Sequence, residues 1–378
     1  MHTWVEISKS ALKHNIRQFK SITGPATKLI AVVKANAYGH GLKAVAGVIQ
    51  DAVDCLAVIN LDEARSLREA GVHAPIIILG YISESAEALA WAVRERVEIV
   101  VNSLSHAKRL SELLAGSAEQ GTLRVHAKVD TGMGRMGILP ENAVSYIKQI
   151  NELPGLYLKG VESHFADVTN HREYAKEQLK RLLDIRYQLF QEKVLPALWH
   201  MAKTEAILDF SESHLDAVRL GIGLYGLWPD KKLPDRVRAA HPECTLAPVL
   251  SWKAKILQVK DYPEGAYIGY GCTRRTKRKT KIAIIPVGYY EGFGRGLSNK
   301  GDILIRGSRC AVLGNVCMNM CMVDATDVAN VQRSDEAVLV GRQGDEEITL
   351  GQIADLLGTV HYEVAARINP FVQRIIVD

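Results

Sequence analysis

Lys34 stands at the end of an apolar run, residues 29–33, and a loop of small residues follows it, ANAYGHG. A lysine held at the rim of an apolar core is partly desolvated, which lowers its pKa and makes the amine nucleophilic. Tyr38 comes four residues later, in reach of an anion bound near the loop. Gly39 and Gly41 permit the tight backbone such a loop needs. A solvated lysine at a strand end has the same pattern, so this stretch alone decides nothing. Other polar groups repeat the placement. Asp130 to Arg135, in DTGMGR, follow an apolar run at 123–129. Glu162, Ser163 and His164 close a run at 156–161, and His200, Lys203 and Thr204 close one at 197–201. Arg219 stands near the end of a run at 217–220, and Gly221 and Gly223 follow it. Any one of these has a structural explanation. Five strand ends together call for a site, because barrel enzymes assemble theirs at the carboxyl ends of their strands.

The elements that position these residues are legible as a rhythm. Strand-like runs fall at 29–33, 55–59, 75–79, 97–101, 123–129, 156–161, 197–201 and 217–220. Helical patterns fall at 42–50, 61–70, 83–93, 103–114, 141–150 and 172–191, with Asp62, Ser83 and Ser103 standing where N-caps are wanted. A further amphipathic helix, 8–21, turns Leu12, Ile16 and Phe19 to one face. Eight alternations predict a (β/α)8 TIM-like barrel over residues 1–235. A doubly wound sheet would also alternate, but no G-x-G-x-x-G follows the first strand. Residues 229–248, with their prolines and mixed charge, read as a linker. Beyond it short alternating runs, including 266–270, 310–316 and 362–368, predict a mostly β C-terminal domain over 236–378, with one clear helix at 350–357.

Composition bounds the rest. The 378 residues are 47% apolar and 24% charged, as in an ordinary globular protein. A net charge of +5 over this length does not argue for nucleic acid. The dense basic cluster, Arg274, Arg275, Lys277, Arg278, Lys279 and Lys281, reads as a solvated hairpin tip. Six scattered cysteines read as reduced thiols; Cys317 and Cys321 lack a second pair, so no metal is expected. No apolar stretch reaches membrane length and the N-terminal residues hold no signal-like apolar region, so the expected location is cytoplasmic, without membrane or nucleic-acid partners.

With these motifs the chain resembles the alanine racemase family, enzymes with an N-terminal barrel that binds pyridoxal 5'-phosphate (PLP) and a C-terminal β domain. The resemblance runs through TWVEISKSALKHN, AVVKANAYGHG, KVDTGMGRMG, GVESHF, VRLGIGLYG, the GYG at 269–271, PVGYYEGFGRGLSNKG and NVCMNMCMVD. It implies interconversion of L- and D-alanine by a two-base mechanism, supplying D-alanine for peptidoglycan. By the same resemblance Lys34 is the covalent attachment point of PLP and one base. Tyr38, Thr204, Gly221 and Ile222 hold its phosphate. Arg219 faces the pyridine nitrogen and leaves it unprotonated, and His164 lies near the ring. Arg135 bonds the phenolic oxygen and helps place the substrate carboxylate. Lys128 matches a lysine that many members carry as a carbamate, an anion that would position Arg135. Tyr270 is the second base, supplied by the partner of a head-to-tail homodimer with shared sites. Tyr289, Arg295, Cys317 and Met318 line the pocket and its entrance from the partner side.

Three positions, and the stretch FADVT after His164 at the entrance, depart from the family pattern. Lys203 stands where an asparagine is usual, Asn319 where an aspartate is usual, and Pro370 where a tyrosine narrows the entrance. They leave open a broader amino-acid racemase, acting on serine or basic amino acids through a wider gate. A PLP-dependent decarboxylase or lyase on the same barrel is a weaker alternative, because Arg219 stands where those enzymes place an acid.

Overall fold

Each of the eight apolar runs forms a strand, and the set closes on itself. After β1 (Thr3–Ser8), which belongs to a second unit, come β2 (Lys28–Val32), β3 (Cys55–Val58), β4 (Ile76–Ile78), β5 (Glu98–Val101), β6 (Leu123–Lys128), β7 (Leu156–Glu162), β8 (Leu198–Lys203) and β9 (Ala217–Leu220). In the computed structural model, which describes residues 2–116 and 121–378, these eight form a closed barrel. β2 pairs in parallel with both β3 and β9, which removes the doubly wound alternative. The runs are almost wholly apolar because parallel strands are covered on both faces. The N-cap expectation needs correction at two helices. Asn60, not Asp62, caps Leu61–Glu69, and Ser85, not Ser83, caps Ala86–Arg94, whereas Ser103 caps Leu104–Ala115 as expected. In each case the side-chain oxygen accepts from the backbone N–H three residues on, which satisfies one donor of the first turn.

The chain divides into two compact units, one of residues 10–34 and 46–248, the other of residues 1–9, 35–45 and 249–378. The second unit is built on β10 (Leu250–Lys255), β11 (Gln258–Tyr262), β12 (Tyr267–Ile268), β13 (Arg274–Arg275), β14 (Thr280–Ile285), β15 (Asp302–Ile305), β16 (Ser308–Ala311), β17 (Cys321–Asp324), β18 (Glu336–Gln343), β19 (Glu346–Ile348) and β20 (Gln373–Val377). Its main sheet runs β16-β15-β18-β10-β1-β20, with β19 on β18; β11-β14-β17 form a second sheet and β12-β13 a hairpin. Two expectations fail. Residues 362–368 are not a strand: His361–Ala366 is a helix that buries Val364 and Ala365. Within the expected linker, Leu233–Ala240 is a helix with proline in its first turn, burying Leu233 and Val237 one turn apart.

The segment after Lys34 is a left-handed turn. Ala35, Asn36, Ala37 and Tyr38 have φ of 55°, 53°, 53° and 53°. Left-handed backbone costs a non-glycine residue roughly 1–2 kcal/mol, so such a run persists only where its surroundings pin it. Within the second unit they do. Asn36 Oδ1 accepts from the Leu42 N–H at 2.8 Å. Arg374 donates to the Gly39 carbonyl from Nε at 3.1 Å and Nη2 at 2.8 Å. Gly39 itself has φ of 84°, and a Cβ there would lie 1.9 Å from the Ala365 carbonyl oxygen.

Candidate active site

Side chains at alternate positions of a barrel strand point to the same side. Glu98, His126, Lys128, Glu162, His200 and Arg219 are all buried, and several of their contacts skip a strand, which only interior side chains can do. His126 of β6 reaches His200 of β8 across Gly160 of β7. A Cβ at Gly160 would stand 2.5 Å from His126 Nδ1. The glycine therefore makes the room that the imidazole occupies.

These contacts fix proton positions. Lys159 pairs with Glu98, whose other oxygen accepts from His126 Nε2 at 2.8 Å. His126 Nδ1 is then an acceptor for His200 Nε2, 3.1 Å away. His200 Nδ1 in turn accepts from Arg219 Nη1 at 2.6 Å. Burial, with the Arg219 charge second, holds His200 well below the ordinary histidine pKa, so the ring is neutral. This buried chain is not legible in the sequence. Its signal is the parity of Glu98, His126 and His200 with the other inward residues of their strands, which becomes meaningful only once the barrel order is known.

Arg219 is the end of the chain. Nη1 also donates to the His200 carbonyl at 3.1 Å and lies 3.1 Å from Glu162 Oε2. Nη2 donates to the Ser163 carbonyl, the Met201 carbonyl at 3.3 Å and His164 Nδ1 at 3.1 Å. His164 is kept neutral by burial first and by Arg219 next. Among the described residues the Arg219 Nε–H has no hydrogen-bond partner. Guanidinium is a donor only. A group placed against Nε must therefore present an acceptor, as an unprotonated pyridine nitrogen does.

Lys34 lies two residues beyond the end of β2, where the Tyr225 hydroxyl donates to the Val32 carbonyl at 2.9 Å and fixes the preceding backbone. Burial lowers the Lys34 pKa; the Arg135 charge lowers it further, Lys128 and Arg219 add to that, and Glu63 opposes them. That is the tuning a nucleophilic or basic amine needs. The Arg135 loop is shaped by Asp130. Its carboxylate accepts from the backbone N–H groups of Gly132, Met133 and Gly134 through Oδ1 and of Arg135 through Oδ2, at 2.7–3.2 Å. Those four bonds outweigh burial and hold its pKa below the ordinary value. Lys128 donates to Glu162 Oε1 at 2.7 Å.

Thr204, Gly221 and Ile222 meet at the ends of β8 and β9. Thr204 Oγ1 accepts from the Gly221 N–H at 3.1 Å and the Gly223 N–H at 3.3 Å. A Cβ at Gly223 would lie 2.7 Å from Thr204 Cγ2. Because Oγ1 accepts both N–H groups, the Thr204 hydroxyl keeps its own hydrogen to donate at the strand ends, which fits a phosphate. A lowered lysine amine, a neutral histidine and a guanidinium with its Nε–H left to donate fit the rest of PLP. Lys203 is accounted for: it turns to Glu205 Oε2, 2.9 Å away, and to the Ala166 carbonyl at 3.4 Å. Among the described residues no His, Cys, Asp and Glu cluster could hold a metal ion, and no helix is long and apolar enough to cross a membrane.

The second unit carries the remaining residues. Tyr38 is raised to about 12 by burial, so its hydroxyl is a neutral donor. Tyr270 is 76% exposed, in a short 3-10 turn after β12, and Tyr289, Arg295, Met318 and Pro370 are exposed as well. Asn319 donates from Nδ2 to Glu291 Oε1 at 2.7 Å, where an aspartate would repel that carboxylate.

Comparison with known proteins points one way. A family model described as "Alanine racemase, N-terminal domain" matches residues 7–229, and "Alanine racemase, C-terminal domain" matches residues 249–376. A relative named alanine racemase from Methanococcus maripaludis is 38% identical over 376 residues, spanning 98% of this chain and 98% of its own length. One of that name from Desulforamulus reducens is 38% identical, with 98% of each covered. Among solved structures, an alanine racemase from Clostridium difficile superposes with a TM-score of 0.91 at 33% identity, covering 100% of this chain and 96% of that one. The alanine racemase of Bacillus anthracis with bound L-Ala-P gives 0.90 at 33% identity, covering 100% and 95%.

Proposed function

Because this chain belongs to the alanine racemase family, we propose that it is a PLP-dependent isomerase that interconverts L- and D-alanine. The observation that carries this reading is the Arg219 guanidinium, buried and fixed on its terminal nitrogens with Nε–H left to donate. PLP, when bound, supplies an electron sink for the bond between the amino acid's Cα and its hydrogen. An acid at the ring nitrogen would deepen that sink and open side reactions; a donor-only arginine does not. Thr204, the backbone of Gly221 and Ile222, and Tyr38 would bind the phosphate. Arg135, on its Asp130-shaped loop, would orient the substrate carboxylate.

Inverting Cα takes a proton off one face and returns one to the other, so it needs two proton-carrying groups. Lys34 has the lowered pKa suited to one. Tyr270 is the second in this reading, brought by another copy of the chain, with Met318, Tyr289 and Arg295 beside it at the entrance. The exposure of Tyr270 supports this, because a tyrosine committed to its own core could not serve a partner.

The test is a chiral assay. Purified, PLP-loaded protein is incubated with L-alanine, D-alanine, serine and lysine, and both enantiomers are quantified. Conversion of either alanine enantiomer to a racemic mixture, faster than for serine or lysine, is expected. Release of carbon dioxide or ammonia without racemisation would overturn the reading.

A further inference from the structure

Glu162 is a carboxylate set between Lys128 and Arg219 in this interior. It is 1% exposed. Oε1 accepts from Lys128 Nζ at 2.7 Å, Oε2 lies 3.1 Å from Arg219 Nη1, and His200 Nδ1 stands 3.9 Å from Oε2. Strand register produces this arrangement, for Glu162 is the partner of Lys128 on one side and of His200 on the other. We propose that Glu162 is a positioning residue: its carboxylate holds the Arg219 guanidinium in place and keeps Lys128 an unmodified ammonium, so that Lys128 takes up no carbon dioxide. The Arg219 half of this rests on the PLP reading of the site; the Lys128 half does not.

The chemistry follows from the contacts. To form a carbamate, a neutral amine must attack carbon dioxide, making a nitrogen–carbon bond and releasing a proton. The Lys128 nitrogen at 2.7 Å from a carboxylate oxygen is in an ion pair, and an ammonium has no lone pair to attack with. A carbamate on Nζ would also set a second anion against Glu162 inside the barrel, which costs heavily where water cannot screen it. An anion is therefore already present beside Lys128, on the neighbouring strand. Burial alone would push the Glu162 carboxyl up, but Lys128 and Arg219 together outweigh it and hold it at about 2. The charge is permanent at any working pH. His164 and His200, the other titratable groups facing it, are neutral.

The experiment has two arms on the full chain. In the first, wild-type protein is equilibrated with isotopically labelled bicarbonate and read by carbon NMR, with Lys128→Arg as the assignment control. No carbamate carbon dependent on Lys128 is expected, and bicarbonate leaves the rate unchanged. A carbamate signal that Lys128→Arg removes would overturn the proposal. In the second, Glu162→Gln is loaded with PLP. Its kcat is expected to fall about tenfold, as for other residues that orient a site through a second residue, with KM little changed. The absorption band of the bound cofactor shifts because the guanidinium at the ring nitrogen has moved. Wild-type kcat and absorption in Glu162→Gln would overturn it as well. A wild-type protein that fails to racemise alanine would instead strike the functional reading, and the NMR arm would still stand or fall by itself.

Discussion

Arg219 Nη1 lies 2.6 Å from His200 Nδ1, and this contact makes the guanidinium the last member of a buried chain that begins at Lys159. Lys159 and Arg219 only donate, Glu98 only accepts, and each histidine between them donates from Nε2 and accepts at Nδ1, so the orientation of Arg219 depends on groups on β5 to β8 as well as on its own strand.

Gly160→Ala tests that dependence from a distance. The added methyl would meet His126 Nδ1 at 2.5 Å and the Leu198 carbonyl at 2.7 Å. Displacing His126 leaves buried polar groups unpaired, at about 1–3 kcal/mol for each group. Denaturant unfolding is expected to show that loss, and kcat to fall although residue 160 lies outside the substrate-binding groups.

Stability should rise with pH through the acid range. His40 is fully buried, and burial lowers its pKa to about 4 from the ordinary 6.5, despite two backbone hydrogen bonds that oppose the shift. The unfolded chain therefore binds a proton between 6.5 and 4 that the folded chain refuses, which subtracts up to about 3 kcal/mol of stability as pH falls through that window. Glu162, held at about 2 when folded, has the opposite chemistry but the same sign: its contribution is complete above the ordinary 4.5 and is lost as pH falls below it. Urea midpoints measured from pH 4 to 7.5 should climb, and His40→Gln should flatten the climb between pH 4 and 6.5.

Two glycines separate strain from collision. Gly24 has φ of 73° with nothing within 4 Å of where an added methyl would sit, whereas at Gly39 a left-handed φ coincides with a 1.9 Å approach to the Ala365 oxygen. Gly24→Ala is expected to cost about 1 kcal/mol, the conformational term alone. Gly39→Ala should exceed that by roughly 1–3 kcal/mol, the usual range for overpacking. Equal losses in thermal unfolding would mean that the turn moves away from Ala365.

The two-base reading makes a prediction about Tyr270. Because the side chain is 76% exposed, Tyr270→Phe should leave the unfolding midpoint unchanged within about 0.5 kcal/mol, as for surface substitutions generally. PLP loading should also be retained. Racemisation should be lost in both directions together, because the equilibrium constant ties them, whereas solvent hydrogen exchange at Cα should persist for the one enantiomer that Lys34 serves. Normal turnover both ways would remove Tyr270 from the mechanism.

Much of the barrel is legible in the chain itself. The eight runs and the polar residues at their carboxyl ends mark it and its working face, since strand, helix and strand-end chemistry are local properties. What stays hidden depends on closure. Glu162 reads in GVESHF as one more polar strand end; its role needs Lys128, 34 residues earlier, as a register partner and Arg219 across β8. Glu98 and His126 look like isolated polar residues in apolar runs until the strands are ordered. The left-handed backbone at 35–38 is carried by alanines, an asparagine and a tyrosine, and is imposed by packing around Gly39 and Arg374. The helix at 361–366 escapes because an apolar run of that length has no period that separates helix from strand.

Lys34 as the attachment point of the cofactor is the assignment on which the racemase reading turns. Borohydride reduction of the PLP-loaded protein, followed by peptide mass mapping, addresses it without any kinetic assumption. One phosphopyridoxyl group per chain is expected, on the peptide that contains Lys34. A group on any other lysine, or none, would contradict the assignment.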